Sequence, residues 1–295
     1  AIVGLLRSIM LKRFESSAYA FRATVSTMIQ QHEAFLDALE RGYIIYKEFY
    51  KEWSAGEDTD IDELLIESDN TVLADNYNIV ALKRDVENDL AILQDLLDDA
   101  NQINRQNSPK LASLIETLVE IVEQAEKDGI DLEDTAQNRK VLIFSYYAQT
   151  VDWIEEHLNE MIKKDNRLSV YKGRLVSVSG RDSRNRISRT AAISGFAPIS
   201  TKAMPPHDKD KFDIMIATDV LAEGMNLQQC RNVINFDLPW NPMRLIQRHG
   251  RIDRIGSPYD DVYMRTFFPD DRLDDLLALE GRVRIKLAQA AASVG

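Results

Sequence analysis

Two hydrophobic periods divide this chain. From Leu5 to about Trp53 the sequence is nearly free of Gly and Pro, and its apolar residues recur at helical spacing, which predicts one long helix or two. The acidic, turn-rich stretch GEDTDIDELLIESDN at 56–70 then predicts an exposed loop. After it, Leu82, Val86, Leu90, Leu93 and Leu97 follow one another at three and four residues, the spacing of a single helical stripe. Asn107, Ser108 and Pro109 punctuate the chain, and a helix over Leu111–Glu126 runs out towards Gly129. Beyond that point the texture changes. Short apolar runs, VLIF at 141–144, RLVSV at 174–178, DIMIA at 213–217, NVINF at 232–236 and VYMRTFF at 262–268, are separated by helix-length segments. Continuous β-branched runs of this kind predict parallel strands buried on both faces, hence an α/β fold: a parallel sheet flanked by helices, preceded by an all-α helical module. The expected boundaries are 1–105 for the helical module, 106–270 for the α/β lobe and 271–295 for a C-terminal helix over Asp271–Ser293.

Composition narrows the class. The chain has 295 residues, 44% of them hydrophobic, enough for a sizeable core. No apolar run approaches the roughly 18 residues that a membrane span needs, and the opening AIVGLLRSIMLKRF turns charged too early for a signal peptide. A cytoplasmic protein with no membrane partner is expected. Cys230 is the sole cysteine, which excludes an intramolecular disulfide and a thiolate-rich zinc site. His32 and His157 fall in helical stretches with no neighbours to complete a metal site. The first residue, Ala1, is not Met, which reads as an excised piece of a longer protein.

The net charge of −12 argues against a protein that simply coats nucleic acid, but the charge is unevenly placed. Residues 1–138 carry 12 of the 36 Lys and Arg and 28 of the 48 Asp and Glu. The second half is therefore net positive and suited to face a polyanion. The acidic half reads either as solvated helical faces or as a surface for a protein partner.

Chemistry concentrates in two blocks, ATDVLAEGMNLQQC at 217–230 and NFDLPWNPMRLIQRHGRIDRIGS at 235–257. In the first, a strand delivers Thr218 and Asp219 at its C-terminal end, where open α/β sheets take their ligands, and Gly224 permits close backbone approach. In the second, Gln247, Gly250, Arg251 and Arg254 make the pattern Q-x-x-G-R-x-x-R, with two guanidiniums three residues apart on one helical face. Arginines aimed together suit a triphosphate, whose transfer transition state they stabilise by a factor on the order of 10³–10⁵.

These blocks resemble motifs V and VI of superfamily 2 helicases, and the ending GRIDRIGS resembles the variant of bacterial Swi/Snf-type ATPases. VLIFSYYAQTVDWI at 141–154 resembles motif IV, and the course from Gly180 through Arg186 to Phe196 resembles the step before motif V. The resemblance spans roughly residues 109–270 and implies a RecA-like C-terminal lobe, the second motor lobe of an ATP-dependent translocase. It implies that Arg251 and Arg254 reach ATP bound on the first RecA-like lobe and that Gln247 orients their helix. Glu223, Gly224 and Asn226 match the turn that couples nucleotide to nucleic acid, Thr218 the residue at a phosphate of the tracked strand, and Ser145 the position near it. ATP and Mg²⁺ are the implied ligands, both held mainly by the first lobe, and duplex DNA is the implied track. Residues 1–105 resemble the helical protrusions that precede this lobe in Swi/Snf-type enzymes.

No G-x-x-x-x-G-K-[ST] loop occurs in the chain, and no D-E-x-x box closes an apolar run. The chain alone is therefore expected to hydrolyse ATP negligibly. A rival reading is a non-catalytic helicase-like module that only recruits partners, although such a module has no need to keep Gln247, Arg251 and Arg254 together. His207 and Lys209 begin a phospholipase-type H-x-K motif, but Asp213 arrives one residue early. Tyr146 and Tyr147 read either as a stacking platform or as packing beneath a helix, and Trp240, before Pro242, as a wedge or a core residue.

Overall fold

In the computed structural model the helical texture at the start resolves into α1 (Ile2–Ser16) and α2 (Ala18–Glu40). The structure describes residues 2–46, 70–179, 187–204, 209–218, 226–239, 241, 243–250, 252, 257–277, 281 and 285. Ser17 separates the two helices, and its hydroxyl accepts from the Ala20 amide at 3.0 Å, the N-cap bond that a serine supplies. The helix expected to reach about Trp53 ends earlier, at Glu40. Gly42 adopts φ +88°, a left-handed conformation that closes a helix and that side chains with a Cβ rarely take. The β-branched and aromatic residues that follow form β1 (Tyr43–Ile45), paired antiparallel with β2 (Thr71–Leu73). Trp53 and the acidic loop up to residue 69 lie outside the described residues.

The contact pattern divides the chain into Phe21–Ile103 and a second unit made of Ala1–Ala20 with Asn104–Gly295. In the first unit, α3 (Ile79–Asn101) is capped by Asn78, whose side chain accepts from the Ala81 amide at 3.1 Å. Leu93 on the expected stripe is buried and Leu82, Val86, Leu90 and Leu97 are half-buried, while Asp85, Glu87, Asp89, Asp95, Asp98 and Asp99 are exposed. The helical period thus sorted the faces correctly. A small core of Leu39, Ile44 and Ala74, with Phe35, Val72 and Leu82 against it, ties α2 and α3 to the hairpin.

The other unit contains the sheet. Its elements are α4 (Pro109–Asp128), α5 (Leu132–Asn138), β3 (Val141–Ser145), α6 (Ala148–Lys164), β4 (Leu175–Val178), α7 (Arg189–Phe196), β5 (Ile214–Thr218), β6 (Asn232–Asn235), α8 (Met243–His249), β7 (Tyr263–Thr266) and α9 (Asp271–Leu277). The strands lie in the order β4-β5-β3-β6-β7 and every pairing is parallel. All five runs singled out in the sequence are strands, within a residue or two of the expected bounds. The three central strands are buried at every position, as continuous apolar runs require, and the edge strand β7 is not. Leu142, Phe144, Val176, Met215 and Val233 build one core layer with Ala192, Ile193 and Phe196 of α7, and α6 packs on β3, β4 and β5. This is a RecA-like parallel sheet flanked by helices, with a helical region before it. Of the C-terminal helix expected over Asp271–Ser293, the described part is α9 with helical Gly281 and Ile285.

Local chemistry fixes the entry to the sheet. Ser108 caps α4 ahead of Pro109, and Asp131 caps α5 by accepting from the Asp134 amide at 2.8 Å. Between them Gly129 is indispensable, because a Cβ there would sit 2.0 Å from Thr135 Oγ1 and 2.9 Å from the Ala125 carbonyl oxygen. Among the described residues no helix is long and apolar enough to cross a membrane.

Cys230 is fully buried beside β6, and burial pushes its thiol up to about 12. At pH 8 it is therefore expected to resist a thiol-specific disulfide reagent in the folded protein and to react in full in denaturant. Rapid labelling of the native chain would show that the lobe opens easily around this strand.

Candidate functional site

The C-terminal ends of the parallel strands collect the residues singled out in the sequence. Ser145 closes β3 and Thr218 closes β5, and the two are direct cross-strand neighbours. The chain leaves β3 for β4 and β5 on one side of the sheet and leaves β6 for β7 on the other. The switch of direction lies between β3 and β6, where open α/β sheets form a crevice beyond the strand ends.

A carboxylate sits at that crevice. Asp237, two residues past β6 and fully buried, accepts from Ser145 Oγ at 2.6 Å, from Ser16 Oγ at 2.6 Å and from the Tyr146 amide at 2.8 Å. Ser16 and Ser17 each lie 2.7 Å from the Thr150 hydroxyl at the start of α6. On the same turn of α1 the buried Lys12 donates to Glu15 at 2.6 Å, and Lys110 donates to that carboxylate at 3.1 Å. The segment LKRFESS therefore docks on the sheet crest. This explains why Ala1–Ala20 groups with the α/β lobe, although the helical reading carried them with residues 21–105. Helical period alone cannot distinguish a helix's partners, whereas a cluster of small hydroxyls and paired charges at its end specifies one. Ser145 is fully buried with its hydroxyl donated to Asp237, so it braces the strand end. Thr218 is 8% exposed at the same crest.

Behind this crest, α8 is held by Leu245, buried with Leu238 and Leu277, and by Arg248. Arg248 is buried, donates to Asn235 Oδ1 at 2.8 Å and lies with its guanidinium 4.9 Å from the Phe144 ring centroid. Pinning Arg248 inward turns Gln247 outward, and Gln247 is exposed. Asn226 is half-buried and accepts from the Gln228 amide at 3.4 Å. Glu223, Gly224, Arg251 and Arg254 lie outside the described residues, as do Gly180, Arg186, His207, Trp240 and Pro242.

Tyr146 and Tyr147 stand edge to face at 5.0 Å where β3 passes into α6. The Arg13 guanidinium lies 4.7 Å from the Tyr147 ring centroid, and that of Arg244 lies 5.7 Å from that of Tyr146. Burial raises the Tyr147 phenol above its ordinary range, so it stays protonated. The sequence offered no sign of Asp237, Ser16, Arg13 or Arg248 as site residues. Each is an ordinary polar residue whose meaning depends on a partner 13 to 221 residues away.

The opposite ends of the strands are held by charge. Lys140, fully buried, donates to the Phe196 and Phe212 carbonyls at 2.9 and 2.7 Å and to Asp210 at 2.8 Å. Asp213, also fully buried, lies between Arg139 and Arg174 at 2.9 and 2.8 Å. Asp213 is thus a structural anchor, which removes it from the nuclease-like reading of His207 and Lys209. Burial lowers the pKa of His157, favouring neutral imidazole, and His32 Nδ1 lies 2.7 Å from the Met28 carbonyl oxygen. Among the described residues no group of three or more His, Cys, Asp or Glu is placed to hold a metal ion.

Residues 114–256 match the family described as Helicase conserved C-terminal domain. Over 150 residues, 49% of this chain and 26% of the relative, the sequence is 36% identical to an uncharacterized ATP-dependent helicase, YqhH, of Bacillus subtilis (strain 168). Over 124 residues, 42% of this chain and 11% of the relative, it is 31% identical to the RNA polymerase-associated protein RapA of Klebsiella pneumoniae (strain 342). The C-terminal part of the Fun30 ATPase domain aligns with a TM-score of 0.42 and 22% identity, covering 70% of this chain and 59% of that one. The matched stretches are at most about a quarter of the curated relatives' length.

Proposed function

We propose, from the match of residues 114–256 to the helicase conserved C-terminal domain, that this chain is the second motor lobe of an ATP-driven duplex-DNA translocase of the Swi/Snf type within helicase superfamily 2. ATP held by a first lobe closes the two lobes. Arg251 and Arg254 then complete the nucleotide site, and the turn at Glu223, Gly224 and Asn226 passes closure on to a DNA strand at Thr218. The observation that carries the reading is the setting of α8. With Arg248 locked to Asn235, Gln247 faces outward at the start of the sequence pattern that Arg251 and Arg254 complete. Ser145 contributes indirectly, by holding the strand end beside Thr218 through Asp237.

ATP and Mg²⁺ enter as ligands of the first lobe, whose phosphate loop and acidic residues this chain lacks. The exposed carboxylates of α3 suit a protein partner, and the likeness to an RNA polymerase-associated protein makes a transcription complex a reasonable place to look. ATP hydrolysis by the parent polypeptide with its phosphate-loop lobe should rise on adding duplex DNA, while the 295-residue chain alone should turn over nothing above background. Turnover by neither protein, with or without DNA, would replace the motor with a helicase-like recruiting module.

A further inference from the structure

Helix α3 carries a second stripe beside the one it buries. Asp85, Asp89, Ile92, Leu96 and Asp99 follow one another at four, three, four and three residues, the spacing of a coiled-coil seam, and every one of them is exposed. At about 100° per residue this stripe lies roughly a quarter-turn round the helix from the inward stripe of Leu82, Val86, Leu90, Leu93 and Leu97. A helix that packs on one side needs one apolar stripe, and the rest of its surface is normally polar. Here two branched aliphatics one turn apart interrupt the solvent-facing surface, Ile92 at 58% and Leu96 at 38% exposure. Carboxylates bracket them, Asp85 and Asp89 on the turns before, Asp99 on the turn after and Asp95 alongside. Asp85 also meets Arg84 at 2.8 Å, an exposed pair that solvent screens. An apolar centre with anionic ends on one helical line is the complement of a helix with an apolar centre and cationic ends.

We propose that this stripe of α3 docks an amphipathic helix of a separate protein, one with two apolar residues at its centre and Lys or Arg on the turns to either side. From Asp85 to Asp99 the stripe runs about 21 Å, so a partner helix of about four turns covers it. Charge decides the occupant. A second copy of the chain would set aspartate against aspartate, and the chain's own stretch GEDTDIDELLIESDN at 56–70 carries the same sign, a juxtaposition that disfavours both. The proposal rests on the reading of α3 as a surface for a protein partner, names the class of that partner and does not depend on the motor reading.

The test is binding of a fluorescein-labelled helical peptide of about 21 residues to the parent polypeptide, followed by anisotropy in the absence of DNA and nucleotide. The peptide carries two Leu one turn apart at its centre, Lys on the turns to either side, and Ala and Gln elsewhere. In a control peptide of the same composition the two Leu are moved to the opposite face. Ile92→Ser and Leu96→Ser are each expected to weaken binding of the first peptide about tenfold, the effect of one aliphatic side chain lost from a buried seam. Asp89→Asn and Asp99→Asn should flatten its salt dependence, whereas Glu123→Gln, at an exposed carboxylate of α4, should change nothing. The control peptide should bind at least about tenfold more weakly than the first. An unchanged urea transition shows that a variant folds, and Ile92→Ser, at the more exposed position, carries the test if Leu96→Ser does not. Equal binding of the two peptides, or wild-type affinity in folded Ile92→Ser, overturns the helix seam and leaves α3 as an acidic surface for a protein partner. Binding of neither peptide overturns the seam and the protein-partner reading together.

Discussion

Replacing Arg254 by alanine in the parent polypeptide is expected to lower DNA-stimulated kcat on the order of 10³-fold or more, with a much smaller change in KM for ATP. An arginine that meets the γ-phosphate only after the lobes close stabilises charge that develops in the transition state, so its loss falls on kcat. Arg251→Ala should behave alike, and the double variant should be little worse than either, since two guanidiniums on one phosphoryl group act as a unit. Arg254→Lys is expected to recover only part of the loss, because an ammonium keeps the charge without the planar fork. Gln247→Ala should cost less, since the part proposed for this exposed residue of α8 is to orient the helix and not to touch the phosphate. A double variant with near-normal turnover and normal DNA stimulation would remove the arginines from the reaction. DNA binding measured without nucleotide separates the two sites, since the Arg254 change should leave it intact.

The second large effect is structural. Asp237→Ala is expected to destabilise the α/β lobe by about 3–5 kcal/mol, read from the shift of its urea transition. The carboxylate holds the Ser16 and Ser145 hydroxyls and the Tyr146 amide in a fully buried setting, and its removal takes from all three the acceptor they share. Asp237→Asn keeps one oxygen and nearly the same volume, and the hydroxyls can rotate to accept from the new amide, so a smaller loss is expected. Ser16→Ala should cost about 1 kcal/mol alone and much less in the Asp237→Ala background, because the bond it removes is already broken. Strict additivity of those two changes would mean that the hub does not join α1 to the strand ends.

The division of labour between sequence and tertiary structure follows from the range of the interactions involved. Patterns that repeat locally were legible. The five β-branched runs predicted five parallel strands, and the stripe Leu82–Leu97 predicted the inward face of α3, because backbone period and burial act over a few residues. The order of chemical blocks was legible too, since each helicase motif is a contiguous stretch whose spacing survives in the letters. Helix ends were less so. The Gly42 turn and the pairing of β1 with β2 broke a helix that composition alone extended, because a partner 26 to 30 residues away decided the strand. What only the folded chain decided is which polar side chains work together. Ser16, Ser145 and Asp237 meet from three parts of the sequence, Arg13 and Arg244 reach two adjacent tyrosines, and Arg248 turns inward while its neighbour Gln247 faces out. A buried carboxylate must find its donors wherever the chain brings them, and no local period records that demand.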